Sequence, residues 1–436
     1  MDKYKTSIFW FRRDLRLHDN HALFQALTTS KNVLVVFIFD PNILTFLNEN
    51  DRRISLLFDR LQELNKELSS YGSRINILHG DPKDVFSDLH SKYNIDAVFA
   101  NTDYEPFARK RDSAIARLCG KMGSSFRLLK DQVIFEKNEI LNGAGKPYAV
   151  YTHYMRNWMS KFRISLTSPY LSQDFLHKII TSDKLLQVES VEQLGFEYQE
   201  IELKEPSLDH ETLRFYDETR NSIEKDGTTH MSVHLRFGFL SIREVAKLAY
   251  QYSESLLKEL VWRSFFSQLI WHNPYVVDKC FKPKYEKVTW SKDKHLFMKW
   301  MYGKTGFPLV DAGMRELFDT GLMNNRVRML TASFLVKNLG VDWRIGEAYF
   351  ASKLLDFDQA SNNGNWQWVA GTGADSAPYF RVFNPITQQE KFDPNFIYCK
   401  KWLHEMDELG NYAMPKITDL KTSRLEAIKR YKAIDL

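Results

Sequence analysis

The sequence predicts an α/β domain with a doubly wound parallel sheet at the N-terminus and an all-helical domain after it. Residues 32–39 (NVLVVFIF) form an unbroken apolar run, which is typical of a strand buried on both faces. Residues 54–69 then repeat apolar side chains at helical spacing. Beyond about residue 205, strand-like runs nearly vanish and helical periodicity dominates. Strands that alternate with helices indicate a parallel sheet, so only the first part of the chain has this architecture.

The remaining elements follow in the same order along the chain. Short apolar runs at residues 7–11, 75–78 and 97–100 predict further strands, with a helical stretch before the last. The turn-rich sequence NGAGKPYAVYTHY lies in the stretch that follows, which predicts a long connector. Helical spacing is clearest at residues 256–270 and 329–339. We therefore predict an α/β domain at 1–130, a connector at 131–200 and a helical domain at 201–436.

Composition limits the classes of function. The net charge of +5 and the pI of about 8.8 permit a polyanionic partner without requiring one. The three cysteines lie far apart and form neither a zinc pattern nor a disulfide framework, which favours a reducing cytoplasm. No apolar run approaches the roughly 18 residues that span a bilayer. We expect a cytoplasmic, monomeric protein without membrane attachment.

Two familiar motifs are incomplete. Gly303, Lys304 and Thr305 resemble the end of a phosphate-binding loop, but Met298 stands where the loop needs its first glycine. His230 and His234 share a helical face yet have no third ligand nearby. The sequence therefore predicts neither a phosphate-binding loop of this type nor a metal site.

The most informative segment is residues 356–385, DFDQASNNGNWQWVAGTGADSAPYFRVFNP. Trp366 and Trp368 are one residue apart, an amide (Asn362) precedes them, and two acids (Asp356, Asp358) come just before. This mixture fits neither a plain amphipathic helix nor a plain strand. It predicts a site for a flat ring with polar edges.

The segment 227–238, GTTHMSVHLRFG, places Thr228, Thr229 and Ser232 around the start of a helix. Hydroxyls and free N–H groups at a helix N-terminus can bind phosphate. They can equally serve as ordinary N-caps.

Two helical segments carry charge beside possible ligand contacts. Glu259 and Arg263 are four residues apart with Trp262 between them, which fits either a polar cavity or a solvated salt bridge. In MNNRVRM, Asn325 and Met329 are one helical turn apart. The neighbouring arginines, Arg326 and Arg328, could respectively face a phosphate backbone and pair with Asp356, or form an ordinary basic helix face.

Taken together, these residues resemble the photolyase/cryptochrome family over about residues 6–405. The segments that carry the resemblance are FWFRRDLRLHDN, GTTHMSVHLRFG, ELVWRSFF, GKTGFPLVDAGMREL, NNRVRMLTASFLVK, DWRIGEAYF and NNGNWQWVAGTGADSAPYFRVFNP. The closest likeness is to class I bacterial cyclobutane pyrimidine dimer photolyases. One departure is Tyr151-Thr152-His153 where the family usually has Phe-Thr-Pro.

The resemblance implies an FAD in the helical domain, fully reduced when active. The residues implied to contact it are Tyr216, Thr228, Thr229, His230, Met231, Ser232, Arg328, Asp356, Asp358 and Asn362. Asn362 would face flavin N5, where a neutral amide suits cycling to the reduced form. An electron-transfer chain of Trp366, Trp343 and Trp290 would run from the flavin to the surface.

The resemblance also implies light-driven repair of cyclobutane pyrimidine dimers in DNA, a carbon–carbon lyase reaction on a flipped-out dinucleotide. Glu259 would stabilise the dimer radical anion. The residues implied to contact the dimer or the DNA are Glu259, Trp262, Arg263, Asn325, Arg326, Met329, Trp368, Arg381 and Gln388. A second, antenna chromophore (a folate, a deazaflavin or a flavin) would bind in the N-terminal domain near residues 101–112.

Two other functions remain open at this point. A blue-light photoreceptor of the cryptochrome type, signalling through a protein partner, would need FAD and the tryptophan chain but not the dimer pocket. A dark flavin oxidoreductase would need a soluble hydride donor, for which the sequence has no nicotinamide-binding motif.

Overall fold

A computed structural model describes residues 3–182, 184–225, 227–407 and 409–434. The chain forms two compact units. The first comprises Met1–Glu136, Lys161–Pro206 and His230–Tyr250, and the second comprises the rest: Lys137–Ser160, Ser207–Thr229 and Gln251–Leu436. These units differ from the domains expected at 1–130, 131–200 and 201–436, because each unit is assembled from three separate segments.

The first unit contains the predicted parallel sheet. Its strands are β1 (Tyr4–Phe11), β2 (Ser30–Phe39), β3 (Asn76–His79), β4 (Ala97–Asn101), β5 (Ser125–Leu129) and β6 (Ile179–Ile180). They are arranged in the order β3-β2-β1-β4-β5, with β6 also pairing to β2, and every pairing is parallel. The second halves of β1 and β2 are buried on both faces, which explains their unbroken apolar runs. The α/β prediction is confirmed.

Among the described residues, helices make up the remaining regular structure, apart from short 3₁₀ turns and one π-helical turn. Their bounds are α1 (His21–Thr29), α2 (Pro41–Leu44), α3 (Arg52–Ser69), α4 (Pro82–Lys92), α5 (Pro106–Lys121), α6 (Tyr151–Lys161), α7 (His210–Arg214), α8 (Tyr216–Thr219), α9 (Met231–Phe237), α10 (Ile242–Tyr252), α11 (Glu254–His272), α12 (Lys294–Met301), α13 (Pro308–Thr320), α14 (Asn325–Ser333), α15 (Trp343–Lys353), α16 (Gln359–Ala370), α17 (Pro385–Phe392), α18 (Ile397–Trp402) and α19 (Leu420–Lys432).

The second unit is helical throughout the part that the structure describes, as expected. Its core is built from α13 to α16 and their neighbours and contains Trp300, Trp343 and Trp366. The helix expected at 329–339 is interrupted, because α14 ends at Ser333 and a π-helical turn, Phe334–Asn338, follows. None of the described helices combines the length and the apolar composition that crossing a bilayer requires.

A buried ionic network joins the three segments of the first unit. The Asp19 carboxylate accepts hydrogen bonds from the Tyr170 backbone N–H (2.7 Å) and the Arg243 guanidinium (2.8 Å). Asp131 pairs with both Arg16 (2.6 Å) and Arg243 (2.8 Å). Burial alone would raise the pKa of Asp131, but the two arginines hold it below its ordinary value. Removing Arg243 would leave the buried Asp19 carboxylate without its cation, whereas Asp131 would keep Arg16.

Candidate flavin pocket and DNA face

One face of α16 carries a stripe of polar and aromatic side chains. Asp358 caps the helix by accepting a hydrogen bond from the Ser361 N–H (2.8 Å), and Asn362, Trp366 and Val369 follow at helical spacing. Side chains spaced by three or four residues share a face, so the stripe lines one pocket. Trp368 lies off the stripe and is absent from the pocket wall. The two neighbouring tryptophans therefore serve different surfaces.

A matching stripe on α14 forms the facing wall of this pocket. Asn325, Arg328, Met329 and Ala332 recur at the same spacing, and the Asn325 amide lies 3.8 Å from the Met329 sulfur. The pocket encloses about 550 Å³ of space between protein atoms, open solvent included. The rest of the wall comes from Phe350, Leu354, Asp356, Phe357, Asp358, Ser361, Asn362, Asn365, Trp366 and Val369.

The predicted pairing of Arg328 with Asp356 is present at the pocket rim. The two guanidinium nitrogens donate to the two carboxylate oxygens at 3.1 and 2.9 Å, and Arg328 Nε donates to the Met323 carbonyl at 2.7 Å. The Asp356 side chain is only 5% exposed. A bidentate pair fixes the plane of the carboxylate, so Asp356 is presented rigidly to the pocket.

Glu347, a residue that sequence reasoning missed, holds Asn362 in place. The Asn362 amide nitrogen donates to the Glu347 carboxyl (2.8 Å) and to its carbonyl (3.2 Å). Because both partners accept, the network assigns the amide nitrogen to Glu347 and leaves the amide oxygen as the free acceptor. Burial raises the pKa of Glu347 to about 7, against the lowering effect of the Asn362 hydrogen bond.

The three tryptophans of the predicted chain all belong to the core of the second unit. Trp366 and Trp343 are buried and Trp290 is half-buried. The Trp366 ring meets Phe350 edge-on at 5.0 Å between centroids. It also meets Trp300 at 6.2 Å, an indole that sequence reasoning did not select.

A second group of predicted residues lies on α11. Glu259 forms an ion pair with Arg220, which also sits over the Tyr216 ring at 5.9 Å. Burial and the Glu259 charge raise the pKa of Tyr216 to about 12. Arg220 was not selected from the sequence, although it follows Tyr216 by one helical turn.

Arginines concentrate near the start of α14. Arg326 donates to the Asn221 side chain (2.8 Å) and lies over the Phe392 ring at 4.6 Å. Desolvation, followed by the charges of Arg220 and Arg381, lowers the pKa of Arg326, so the three guanidinium groups share one positive field. Arg381 is exposed, and Gln388 is half-buried on α17.

A boundary between the two units falls inside the segment predicted to bind phosphate. Thr228 and Thr229 end a segment of the second unit, whereas His230, Met231 and Ser232 open a segment of the first. The N-cap of α9 is His230, with φ of 49° and no capping side chain, so ordinary capping by Thr228 or Thr229 is not observed. Their role toward a diphosphate stays a prediction.

The acids of segment 101–112, expected near an antenna chromophore, are committed to internal pairs. Asp112 pairs with Arg12 (2.6 Å) and Asp103 with Arg13 (3.5 Å), and all four side chains are buried. The guanidinium groups of Arg12 and Arg111 both lie over the Trp10 ring, at 5.1 and 4.7 Å from its centroid. These acids would have to break ion pairs to meet a ligand.

Metal chemistry receives no support from side-chain placement. Among the described residues, no group of three or more His, Cys, Asp or Glu side chains is arranged to hold a metal ion.

Comparison with known proteins gives the same family for both parts of the chain. Residues 7–172 match the family model described as DNA photolyase, and residues 256–433 match that of the FAD binding domain of DNA photolyase. The chain is 35% identical over 425 residues to the deoxyribodipyrimidine photo-lyase of Synechococcus sp., which covers 92% of this chain and 88% of that protein.

Solved structures agree with this result. The archaeal photolyase from Sulfolobus tokodaii, which contains two FAD molecules, superposes with a TM-score of 0.86 at 35% identity and covers 98% of this chain and 100% of its own. The bacterial class III photolyase from Agrobacterium tumefaciens gives a TM-score of 0.86 at 30% identity and covers 100% and 98%.

Proposed function

Because the chain belongs to the photolyase/cryptochrome family, we propose that it repairs cyclobutane pyrimidine dimers in DNA, driven by light and using FAD. The observation that carries the proposal is the meeting of two helical stripes, on α14 and α16, in one pocket whose polar groups suit a flavin.

The residues of this pocket fit a flavin. Asp356 and Asp358 supply carboxylate acceptors for N–H and hydroxyl groups, Arg328 supplies a cation, and Phe350 and Trp366 supply apolar walls. Asn362 offers an acceptor oxygen because Glu347 holds its amide nitrogen. When bound, reduced FAD supplies the photochemical electron for ring opening.

The reaction places few chemical demands on the protein. A dimer that gains one electron breaks the two bonds between its bases and returns the electron, so no acid–base pair is consumed. Trp262 and Trp368 would stack against the flipped bases, at roughly 1–3 kcal/mol per base. Glu259 would stabilise charge on the dimer. Asn325 and Met329 line the same pocket as the flavin residues, which supports contact between dimer and cofactor sites.

DNA binding would be carried by the arginines near α14. Arg220, Arg326 and Arg381 share one positive field, which suits the backbone of a kinked strand. Arg263 and Gln388 would add contacts beside them. Arg220 would have a second role, because it forms the ion pair with Glu259 when no lesion is bound. A bound dimer would then replace Arg220 as the partner of Glu259.

Several further properties are part of the proposal. Trp366, Trp343 and Trp290 would pass electrons to resting FAD under light. Tyr216 and the 228–232 segment would bind the rest of FAD, and a second chromophore would bind in the first unit. We also propose that the protein works as a monomer in the cytoplasm, since the flavin and dimer residues on α11, α14 and α16 lie in one unit and its three cysteines are free.

The test uses purified protein with fully reduced FAD and an oligonucleotide that contains one thymine dimer. Blue or near-ultraviolet light should restore the thymines, and the same sample in the dark should not. Absence of restoration with reduced FAD bound would refute the proposal.

A single variant separates repair from photoreception. In Glu259→Ala, the repair yield should fall while light-driven flavin reduction persists, because Glu259 lies outside the flavin pocket. A photoreceptor that does not repair DNA would show no repair in the wild type and the same light-driven flavin reduction in both proteins.

A further inference from the structure

Tyr151, the first residue of α6, covers one face of Trp262. The two rings are stacked at 3.5 Å between centroids with an angle of 5°, and Phe265 closes the group edge-on at 5.8 Å from Tyr151. Tyr151 is 8% exposed, whereas Trp262 is half-buried. Isolated aromatic pairs prefer an offset over such direct overlap. Something besides ring attraction therefore sets this geometry.

Two hydrogen bonds fix Tyr151 at opposite ends. Its hydroxyl donates to the Lys258 carbonyl (2.9 Å), one residue before Glu259. Its backbone N–H donates to the Asp375 carboxylate (3.1 Å). The ring is thereby held flat against Trp262 along its whole length.

Asp375 connects this arrangement to Trp368. It lies in the loop after α16, with a left-handed φ of 46°, a conformation that costs free energy in a residue other than glycine. The same loop folds back so that the Gly371 and Ala377 N–H groups both donate to the Trp368 carbonyl, at 3.2 Å each. Tyr151 thus contacts Trp262 directly, and through Asp375 it is joined to the loop whose Gly371 and Ala377 N–H groups bind the Trp368 carbonyl.

We propose that Tyr151 is a positioning residue for the lesion pocket, which sets the plane of Trp262 and, with Asp375, ties that wall to the loop after α16 that folds back onto the Trp368 carbonyl. The inference rests on the proposed function, because it assigns these two indoles to the flipped dimer. The hydroxyl of Tyr151 would anchor the ring over α11 through its hydrogen bond to Lys258. The family usually has Phe at this position, which lacks this hydroxyl.

The test measures the affinity of the FAD-loaded protein for dimer-containing and intact oligonucleotides. Tyr151→Leu removes the ring and should weaken dimer binding about tenfold, with intact-DNA binding changed less than twofold. Tyr151→Phe keeps the ring and should restore dimer binding to within about threefold. In a Trp262→Leu background, Tyr151→Leu should have no further effect, because there is no indole left to position.

A second variant and a spectroscopic signal guard against a folding defect. Asp375→Gly removes the carboxylate while accommodating the left-handed backbone, and should weaken dimer binding at least threefold. Asp375→Asn, which keeps an acceptor oxygen, should not. In protein labelled with 5-fluorotryptophan, the fluorine resonance of Trp262, assigned through Trp262→Phe, should shift in Tyr151→Leu without DNA.

The outcomes distinguish a failure of the proposed function from a failure of the role proposed for Tyr151. Wild-type protein that binds dimer and intact DNA equally would overturn the proposed function and this inference together. Wild-type preference for the dimer, retained in both Tyr151→Leu and Asp375→Gly, would overturn only the inference. Equal loss from Tyr151→Leu with and without Trp262 would do the same, since the effect would not pass through the indole.

Discussion

Replacing Glu347 by glutamine should remove a pH dependence of stability in the second unit. The Glu347 side chain is half-buried on α15, and the identified influences on its carboxyl are desolvation and the Asn362 hydrogen bond, with no cation among them. Glutamine keeps the size of the side chain and an acceptor oxygen for Asn362. It removes only the ionisation.

The magnitude follows from the pKa, which rises from 4.5 to about 7 in the folded protein. One pKa unit corresponds to about 1.36 kcal/mol, so this rise in the pKa corresponds to about 3 kcal/mol in the free energy of unfolding. Between these two pH values the folded carboxyl keeps a proton that the unfolded one has lost. The folded state therefore loses stability as pH rises through this window, and the loss is complete above pH 7.

Urea denaturation of both proteins at several pH values from 4 to 8 measures this effect. Tryptophan fluorescence is the appropriate signal, because nine of the ten tryptophans lie in the segments of the second unit. The free energies of unfolding should agree near pH 4, and the variant should exceed the wild type by about 3 kcal/mol at pH 8. Glu390→Gln, at an exposed position on α17, is the matched control and should follow the wild type. Parallel curves for wild type and Glu347→Gln would refute the reasoning.

Three further predictions address electron transfer, DNA binding and a buried cation. Trp366→Phe should slow light-driven reduction of oxidised FAD at least tenfold while leaving dimer affinity unchanged, as measured by absorption and by anisotropy; unchanged reduction would remove Trp366 from the chain. Arg381→Ala should lower the slope of log affinity against log salt by about 1 for any DNA sequence, because one phosphate contact is lost; an unaltered slope would exclude that contact. Lys337 is buried with its ammonium donating to the Ala370 carbonyl (2.8 Å), and desolvation lowers its pKa to about 7. The unfolded lysine holds a proton that the folded one lacks between pH 7 and 10.5, so stability should rise with pH across that window. Lys337→Met should abolish the rise and stabilise the protein at neutral pH by about 2–4 kcal/mol in denaturant titrations; a less stable variant would contradict this account.

Helical periodicity explains why much of the pocket could be found from the sequence. Asn362 and Trp366 are one turn apart, and Asn325 and Met329 repeat the same spacing on another helix, so each pair shares a face once the helix is known. The Arg328–Asp356 contact, between residues 28 apart, was suggested only by opposite charge and by the family resemblance. Local patterns of this kind need no knowledge of tertiary structure.

Partners supplied by distant segments were not predictable in the same way. Glu347 meets Asn362 across two helices, and its only signal is an acid on the α15 face that also carries Trp343 and Phe350. Arg220 reaches Glu259 from a segment with little periodicity. The extent of the first unit depends on pairings such as that of β2 with β6. The strand β6 has only two residues, which is too short for an apolar pattern to predict it.

The ionic network around Asp19 has a consequence for the order of synthesis. Residues up to 136 already contain every strand of the sheet except β6, yet Arg243, which pairs with both Asp19 and Asp131, is made more than a hundred residues later. When only the first segment has emerged from the ribosome, the chain would have to bury Asp19 without Arg243 or leave the region around Asp19 unfolded. The N-terminal α/β fold should therefore mature late in translation, and a fragment that ends before residue 243 should be a poor substitute for it.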